Sequence, residues 1–437
     1  MPHWILLVLL LMPAKAQQRT QARSMVISRY GIVATSQTLA SQAGAQILAR
    51  GGSAMDAAIA ANAVQTVVEP MSCGVGGDLF ALYYEAKTGK LTGINASGPS
   101  AKAMSIAKLK EMGIHSMPQD GIHSVTVPGC VDGWAKLHKR FGRLPWRDNF
   151  APARHFATEG FPLTEIIQDH WRNSVSKLHD SEYSRKTFLS EGRAPDVGDL
   201  VKNADLAKTL RLIAEQGPDA FYRGAIAQGI LKTSQSRDGL MQASDLAAFS
   251  SEWVDPIRTN YRGWTVYELP PNSQGVAALE MLNIMERSPL PDLPADGAQA
   301  YHIKIEAQKL AYQDLKRFLA DPRFYKMPLD GLLSKSYAAE RAALIDDKAR
   351  CDYESGNPLP SAGDTIYLAA IDREGNIASL IQSVYLSFGS GVAVDGFGFH
   401  LHNRGGLFEF DESHPNALAP GKRPFHTILP ALMEKDG

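Results

Sequence analysis

The stretch GDTIYLAAI, residues 363–371, marks the point where the chain changes from mainly helical to mainly extended patterns. A polar run rich in proline and glycine, residues 354–364, precedes it and is typical of an exposed loop. Apolar and β-branched runs on both sides of a turn at 372–375 predict a β-hairpin over residues 365–383. Thr365 therefore lies where an exposed loop enters a buried strand.

A hydroxyl group at this position suggests one kind of chemistry. If the bond before Thr365 were cut, the threonine would carry both its hydroxyl and a free α-amine. A threonine hydroxyl is a poor nucleophile until a base removes its proton, and an N-terminal amine is such a base. By themselves, these residues are more typical of an ordinary turn before a strand.

The composition of the whole chain favours a globular protein that acts on small molecules. The chain has 437 residues, of which 44% are hydrophobic and 21% are charged, so it can bury a large core. No stretch has the character of a linker between domains, and we expect one α/β structural domain. The net charge of −1 gives no reason to expect nucleic acid or an acidic membrane surface as a partner.

Residues 1–16 are predicted to be a secretory signal peptide. An unbroken apolar run at residues 5–12 is too short to cross a bilayer, and a small-x-small pattern at 14–16 resembles a cleavage site. No lysine or arginine precedes the run, which leaves a mis-assigned start codon as the alternative. We therefore expect no stable membrane span and a periplasmic or secreted mature chain.

Cysteines and histidines form no metal-binding motif. The three cysteines are Cys73, Cys130 and Cys351. They are odd in number and widely spaced, so buried free thiols are expected. His400 and His402 would share one face of a strand predicted at residues 396–403, and without a third ligand structural histidines are favoured over a metal site. We expect no metal and no cofactor.

Patterns before Thr365 predict helices that cover sheets. Two alanine-rich helices, residues 38–50 and 54–68, lead to a glycine cluster at 73–77. The cluster precedes a strand and not a helix, so close backbone packing is favoured over a dinucleotide site. Strands are predicted at residues 78–84 and 91–95, and further helices at 131–141, 204–216, 275–286 and 301–319. Sheets between helical layers are the expected architecture.

Ten short motifs follow one another along the chain, at residues 51–58, 74–77, 127–129, 142–146, 160–162, 220–224, 245–249, 306–312, 388–391 and 422–424. Together they resemble the γ-glutamyltransferase family of self-cleaving N-terminal-nucleophile (Ntn) hydrolases, over nearly the whole chain from about Ser24. The resemblance implies an α/β fold, the αββα Ntn-hydrolase sandwich. It also implies a large-subunit part at residues 17–364 and a small-subunit part at 365–437 within one structural domain.

The resemblance implies a role for three residues in processing and catalysis. The precursor would cut itself between Asp364 and Thr365, and Thr365 would then attack amide substrates. Ser383 corresponds to a second hydroxyl residue that helps to hold and polarise the nucleophile in this family. The two cleaved parts would stay together as a heterodimer, with a small-molecule amide or peptide as substrate.

Five residues align with the family's substrate-binding positions and depart from its pattern: Ser97, Tyr385, Arg404, His426 and Thr427. Ser97 stands in place of the arginine that binds the glutamyl α-carboxylate, and Leu407 in place of the aspartate that pairs with the α-amine. Each lost charge-assisted contact should weaken the binding of a zwitterionic glutamyl group by about 1.5–3 kcal/mol. Arg404 stands in place of a glutamine and Tyr385 in place of an asparagine. His426 and Thr427 stand in place of paired serines.

Arg404 offers a replacement cation for a substrate with a carboxylate and no α-amine. This pattern is similar to the branch of the family related to cephalosporin acylases and other amide hydrolases. The alternative for Arg404 is an ordinary residue at the end of a surface strand. Ordinary loop or strand packing is the alternative for Ser97, Tyr385, His426 and Thr427. Water is the favoured acyl acceptor because nothing marks an amine-acceptor site.

The segment from Thr365 to Gly437 is shorter than the small subunit of the family, and no Gly-Gly pair for an oxyanion hole follows Lys422. We therefore expect an incomplete, C-terminally truncated small-subunit part. The leading hypothesis is a self-processing threonine amidohydrolase or transferase that cleaves a γ-glutamyl or related acidic amide through an acyl-enzyme. The alternative is an inactive remnant without turnover. A periplasmic binding protein is disfavoured because no duplicated lobes are visible.

Overall fold

The computed structural model describes residues 24–350 and 365–436. The predicted signal peptide, Cys351 and Asp364 lie outside the described residues. The strands are β1 (Gly31–Thr35), β2 (Asp78–Glu85), β3 (Lys90–Ala96), β4 (Phe161–Pro162), β5 (Leu200–Val201), β6 (Glu252–Val254), β7 (Ile257–Tyr261), β8 (Trp264–Glu268), β9 (Ile366–Asp372), β10 (Ile377–Ser383) and β11 (Leu432–Glu434).

The helices come mainly before β9, as the sequence pattern predicts. They are α1 (Thr38–Ala49), α2 (Ala54–Val68), α3 (Ile106–Glu111), α4 (Cys130–Phe141), α5 (Ala151–Glu159), α6 (Glu165–Asn173), α7 (Val175–His179), α8 (Glu182–Phe188), α9 (Ala204–Gln216), α10 (Asp219–Tyr222), α11 (Ala225–Gln235), α12 (Ala243–Ala247), α13 (Gly275–Met285), α14 (Ala298–Phe318), α15 (Leu329–Leu332) and α16 (Lys335–Ala342). Among the described residues, no helix is both long and apolar enough to cross a membrane.

The predicted hairpin forms the middle of the larger sheet. Strands β9 and β10 pair antiparallel, and the six strands are ordered β1-β9-β10-β2-β3-β6. Pairing of β10 with β2 places Ser383 directly opposite Asp78. A second sheet has the order β11-β8-β7. The end of β10 therefore brings two distant parts of the chain together.

Apolar side chains define four layers. Helix α2 is buried along its whole length against the larger sheet, because its small alanines allow close packing. Phe80 and Ile381 of the larger sheet pack against Leu269 and Ile428, which lie on the side of the second sheet. Beyond the second sheet, Ile257 packs against the cluster of α13 and α14. The order is helices, sheet, sheet, helices, which agrees with the predicted sandwich.

A capping box fixes the start of α2. The Ser53 hydroxyl accepts a hydrogen bond from the Asp56 amide, and the Asp56 carboxylate accepts one from the Ser53 amide. The same carboxylate accepts from the amides of Arg143 and Leu144, at 2.7 and 3.2 Å. The predicted boundary before residue 54 is confirmed, because these local bonds are set by the sequence.

The prediction of a strand at residues 396–403 is wrong. Only an isolated bridge joins Ala393 to His400 in this region, and the chain forms buried loops that end in a 3₁₀ turn, Arg404–Leu407. Glycines with positive φ interrupt the extended pattern, at positions 389, 391, 396 and 398. The two histidines consequently do not share a strand face: His400 contacts phenylalanine rings, whereas His402 contacts Asp78.

Candidate active site

The two predicted catalytic hydroxyls lie side by side. Thr365 is exposed and immediately precedes β9, while Ser383 is the buried last residue of β10. Antiparallel pairing places the start of one strand beside the end of the other. The Thr365 hydroxyl donates to Ser383 Oγ at 3.1 Å, and Ser383 Oγ also accepts from the Tyr385 amide at 2.8 Å.

The glycine cluster allows the chain before β2 to approach the end of β10. A Cβ on Gly77 would lie 2.3 Å from the carbonyl oxygen of Ser383, and one on Gly76 would lie 2.2 Å from that of His400. The Gln382 side-chain amide also bonds the backbone of Gly74 in both directions, at 2.8 and 3.1 Å. Close backbone packing, the favoured interpretation of this cluster, accounts for the glycines.

Asp78, directly opposite Ser383, is the centre of a buried polar cluster. Its carboxylate is fully buried. Three side chains of the described part of the chain contact it through Oδ2. Arg404 Nε lies 3.2 Å from Oδ2, His426 Nε2 lies 2.8 Å away, and His402 Nδ1 lies 3.4 Å away. Asp78 Oδ1 has no hydrogen-bond partner among the described residues. No motif in the sequence marks Asp78 as part of a site.

Arg404 is buried, so its interpretation as an ordinary surface residue is wrong. Besides the bond to Asp78, its Nη1 donates to Thr427 Oγ1 at 2.7 Å. The Tyr385 ring lies over the guanidinium, 4.7 Å from its central carbon, and Tyr385 adopts a φ of 79° that is rare for a residue with a side chain. Thr427 is half-buried and forms the outer end of this row of contacts.

Ser97 takes part in a separate network of buried amides. Its hydroxyl donates to Asn95 Oδ1 at 2.7 Å and accepts from Asn272 Nδ2 at 3.2 Å. Asn272 in turn accepts a hydrogen bond from the His426 amide through its carbonyl oxygen, at 2.7 Å. The structure therefore connects Ser97 to the cluster through the backbone of Asn272 and His426. Substrate binding by Ser97 stays a prediction.

The charges in the cluster balance. Burial acts to raise the pKa of the Asp78 carboxyl, but the hydrogen bond from His426 and the charge of Arg404 outweigh it and hold this pKa well below its usual value. Burial lowers the pKa of His426 to about 3, with Arg404 adding to the effect. Burial likewise lowers the pKa of His402. At neutral pH the cluster thus contains one carboxylate, one guanidinium and two neutral imidazoles.

Other predicted residues have ordinary environments. Cys73 and Cys130 are buried free thiols, as expected. Burial raises the pKa of both thiols well above the usual value, so neither is a thiolate at neutral pH. No group of three or more acidic, histidine or cysteine side chains within residues 24–350 and 365–436 is arranged to hold a metal ion. Leu407, in the position of the family's aspartate, is buried and apolar.

The sequence profile of the gamma-glutamyltranspeptidase family matches residues 40–437. The glutathione hydrolase-like YwrD proenzyme of Bacillus subtilis (strain 168) is 40% identical over 412 residues, covering 94% of this chain and 78% of the relative. The glutathione hydrolase proenzyme of Escherichia coli (strain K12) is 33% identical over 431 residues, covering 94% and 74%. The chain therefore belongs to the gamma-glutamyltranspeptidase family and is an enzyme.

Solved structures support the same conclusion. The crystal structure of cephalosporin acylase from Bacillus halodurans matches with a TM-score of 0.89 and 40% identity, covering 98% of this chain and 79% of the other. The four layers described above are thus those of an Ntn hydrolase, and the similarity lies with the acylase-like branch. The expected family and fold class are confirmed.

Proposed function

We propose that the chain is a self-processing threonine amidohydrolase that cuts itself before Thr365 and then hydrolyses an acidic amide. The observation that carries this proposal is the 3.1 Å hydrogen bond between an exposed Thr365 and a buried Ser383. A nucleophile must reach a substrate while a neighbouring group holds it in place, and this pair meets both requirements. Membership of a family whose relatives are named proenzymes supports self-cleavage.

The chemistry follows from the two hydroxyls and the chain end that cleavage creates. The new α-amine of Thr365 removes the hydroxyl proton while Thr365 Oγ attacks the amide carbonyl. The amide C–N bond then breaks, and the protonated amine returns its proton to the departing amine. Water, activated by the same α-amine, releases the acid from the acyl-enzyme. Ser383 Oγ, already fixed by the Tyr385 amide, accepts a hydrogen bond from the nucleophile and orients it.

The side chains around Asp78 favour an acyl group with a carboxylate and no α-amine. Leu407 cannot pair with an ammonium group, so a γ-glutamyl substrate would lose that contact. The half-buried Thr427, bonded to the guanidinium of Arg404, provides a polar contact for a carboxylate. His426 is neutral and bonded to Asp78, and we assign it a supporting role at this position. Tyr385 covers Arg404 and limits the space beside Ser383.

The proposed function also predicts how the two cleaved parts assemble and where the protein acts. The large-subunit part and the part that begins at Thr365 remain together after cleavage, because β9 and β10 lie in the centre of a sheet whose other strands come from the large-subunit part. The protein acts in the periplasm or outside the cell, in agreement with the signal pattern at residues 1–16.

Mass spectrometry of the purified protein tests self-cleavage. The wild-type chain should give two fragments separated at the Asp364–Thr365 bond, while Thr365→Ala should remain intact because it has no hydroxyl to attack that bond. Thr365→Ser is the matched control: it retains a hydroxyl and should be cut. An intact wild-type chain would contradict the proposal and favour the inactive remnant.

A comparison of substrates tests the acidic-amide preference. Glutaryl nitroanilide carries the carboxylate of a γ-glutamyl group without its α-amine, so its kcat/KM should exceed that of γ-glutamyl nitroanilide. The expected ratio is about tenfold or more, the value of one charge-assisted contact. An equal or higher kcat/KM with the γ-glutamyl compound would refute the preference while leaving self-cleavage intact.

A further inference from the structure

Asp78 is the buried carboxylate closest in the sheet to the proposed nucleophile pair. It is the first residue of β2, and its register partner is Ser383, whose hydroxyl bonds Thr365. Nothing in the proposed reaction uses Asp78 directly. Burying an ionised carboxylate is costly unless it is paired. The groups that bind Asp78 should therefore explain why a carboxylate is buried here.

The hydrogen-bond pattern assigns the donors to Asp78. His426 Nδ1 accepts from the Ile428 amide at 3.4 Å, so Nε2 carries the proton and donates to Asp78 Oδ2. His402 is different, because its Nδ1 accepts from the Arg404 amide at 3.3 Å and its Nε2 lies 3.0 Å from the carbonyl oxygen of Thr126. Neutral His402 therefore donates to Thr126, and the proton donors to Asp78 are His426 and Arg404.

The bond to Asp78 determines how Arg404 meets Thr427. Arg404 Nε is held by Asp78 Oδ2 at 3.2 Å, and the Tyr385 ring covers the face of the guanidinium. The rigid, planar fork then directs Nη1 to Thr427 Oγ1 at 2.7 Å. A guanidinium has no acceptor, so Thr427 Oγ1 must accept this bond. The hydroxyl hydrogen of Thr427 is consequently left to donate to another group.

We propose that Asp78 is a positioning residue for substrate selection: it fixes Arg404 so that Thr427 Oγ1 accepts from the guanidinium, which leaves the Thr427 hydroxyl hydrogen to donate to the carboxylate of an acidic substrate. This inference rests on the proposed function, since it concerns the same site. It adds a specificity-determining residue on β2, 326 positions before Arg404 in the sequence. Asp78 acts through Arg404 and Thr427 and has no contact with the reacting atoms.

Kinetics with a pair of substrates test this role. Glutaryl and pentanoyl nitroanilide have the same acyl chain, with and without the distal carboxylate. Their ratio of kcat/KM should fall about tenfold in Asp78→Asn and in Thr427→Val, the loss of one hydrogen bond to a charged group. Thr427→Ser retains the hydroxyl and should retain the ratio. Asp314→Asn is the matched control, because Asp314 is a buried aspartate beside an arginine in a different cluster.

A double variant that combines Asp78→Asn with Thr427→Val separates a positioning role of Asp78 from a general loss of stability. If Asp78 acts through Thr427, the double variant should have a ratio no more than about twofold below that of the lower single variant. Multiplicative effects would overturn the inference. A raised or unchanged ratio in Asp78→Asn would also overturn it, because loss of a negative charge then helps anion binding more than loss of orientation harms it.

Two further measurements cover the cases in which Asp78→Asn does not fold or the wild type has no activity. If Asp78→Asn does not fold, Arg404→Lys replaces it: the cation is kept, but the fork that joins Asp78 to Thr427 is lost, so the ratio should again fall about tenfold. An unchanged ratio would overturn the inference. If the wild type hydrolyses neither anilide, the proposed function fails, and calorimetric affinities for the two anilides replace kcat/KM in the same comparison.

Discussion

Asp78 and Glu280 are both carboxylates removed from water, with exposed fractions of 0% and 1%, yet they have opposite charge states at neutral pH. The hydrogen bond from His426 and the charge of Arg404 keep the pKa of Asp78 low despite its burial. Burial raises the pKa of Glu280 on α13 to about 10, with Asp314 adding to the effect, so Glu280 is protonated. The nearby cation, Arg341, lies 3.1 Å from Asp314 Oδ2. Burial alone thus does not decide the charge of a carboxyl group.

This difference also shows how far a perturbed pKa identifies a functional site. Glu280 has a strongly shifted pKa, but the charged residues beside it, Asp314 and Arg341, lie on α14 and α16, away from the proposed nucleophile pair. Asp78 is linked by strand register to the proposed nucleophile pair. Perturbed pKa values are frequent at active sites and also occur in structural networks. The geometry beside Thr365, and not the size of the shift, identifies the site.

The largest effect on stability is expected from Arg404→Met. This change leaves the Asp78 carboxylate buried without its cation, and removing one partner of a buried pair costs about 3–5 kcal/mol. Urea unfolding at pH 7 measures the change in the free energy of unfolding. The double variant with Asp78→Leu should recover most of the loss, because both charges are then absent. A loss below about 1 kcal/mol in Arg404→Met would contradict this expectation, since Asp78 would not then depend on Arg404.

Glu280→Gln should change the free energy of unfolding in the opposite direction and make the protein more stable at pH 7. Because the folded-state pKa of Glu280 is raised to about 10, its stabilising contribution is complete at pH 4 and is lost as pH rises toward 10. Glutamine cannot ionise and keeps a donor for Asp314. The variant should therefore gain up to about 3 kcal/mol at pH 7. The gain should disappear near pH 4, as measured by urea unfolding at both values. A loss of stability at pH 7 would show that Glu280 is ionised.

His400→Phe tests a buried base in place of a buried acid. Of the three substitutions, it should have the smallest effect on the free energy of unfolding. Both ring nitrogens of His400 lack a hydrogen-bond partner among the described residues, and the ring packs against Phe188 and Phe388. Phenylalanine removes two unsatisfied polar atoms, so a gain of about 1–2 kcal/mol is expected at pH 7. The exposed His155→Phe is the control and should change little.

The same histidine should contribute to loss of stability in acid. Burial lowers the pKa of His400 to about 3, below the usual value near 6.5. The unfolded chain therefore takes up a proton that the folded chain does not, and stability falls as pH decreases from about 6.5 to 3. Thermal unfolding across this range should show a shallower fall in His400→Phe than in the wild type. Parallel curves would contradict the lowered pKa.

The sequence was sufficient for features that depend on neighbouring residues. The hairpin that carries Thr365 and Ser383 follows from apolar and β-branched runs on both sides of the turn at Asp372. The role of Ser383 beside Thr365 follows only from the resemblance to the family. Residues 396–403 were mispredicted for a related reason: alternation was visible, but glycines with positive φ at 396 and 398 prevent an extended strand.

The Asp78 cluster could not be predicted in the same way. Asp78 and Arg404 are 326 positions apart, and no periodicity relates them. The available signal was an aspartate directly after the glycine cluster, at the start of a strand that reads as buried. Arg404 was identified only by alignment with the family, and its burial beneath Tyr385 depends on loops from several parts of the chain.

The family, the central hairpin and the proposed nucleophile can all be recognised from the amino-acid sequence. These features depend on motifs, apolar runs and bonds between near neighbours. Which charges exist in the site depends instead on how distant parts of the chain pack together. Ionisation of Asp78, neutrality of His426 and orientation of Thr427 arise from desolvation and from contacts between distant segments, and such terms are fixed only when the chain has packed.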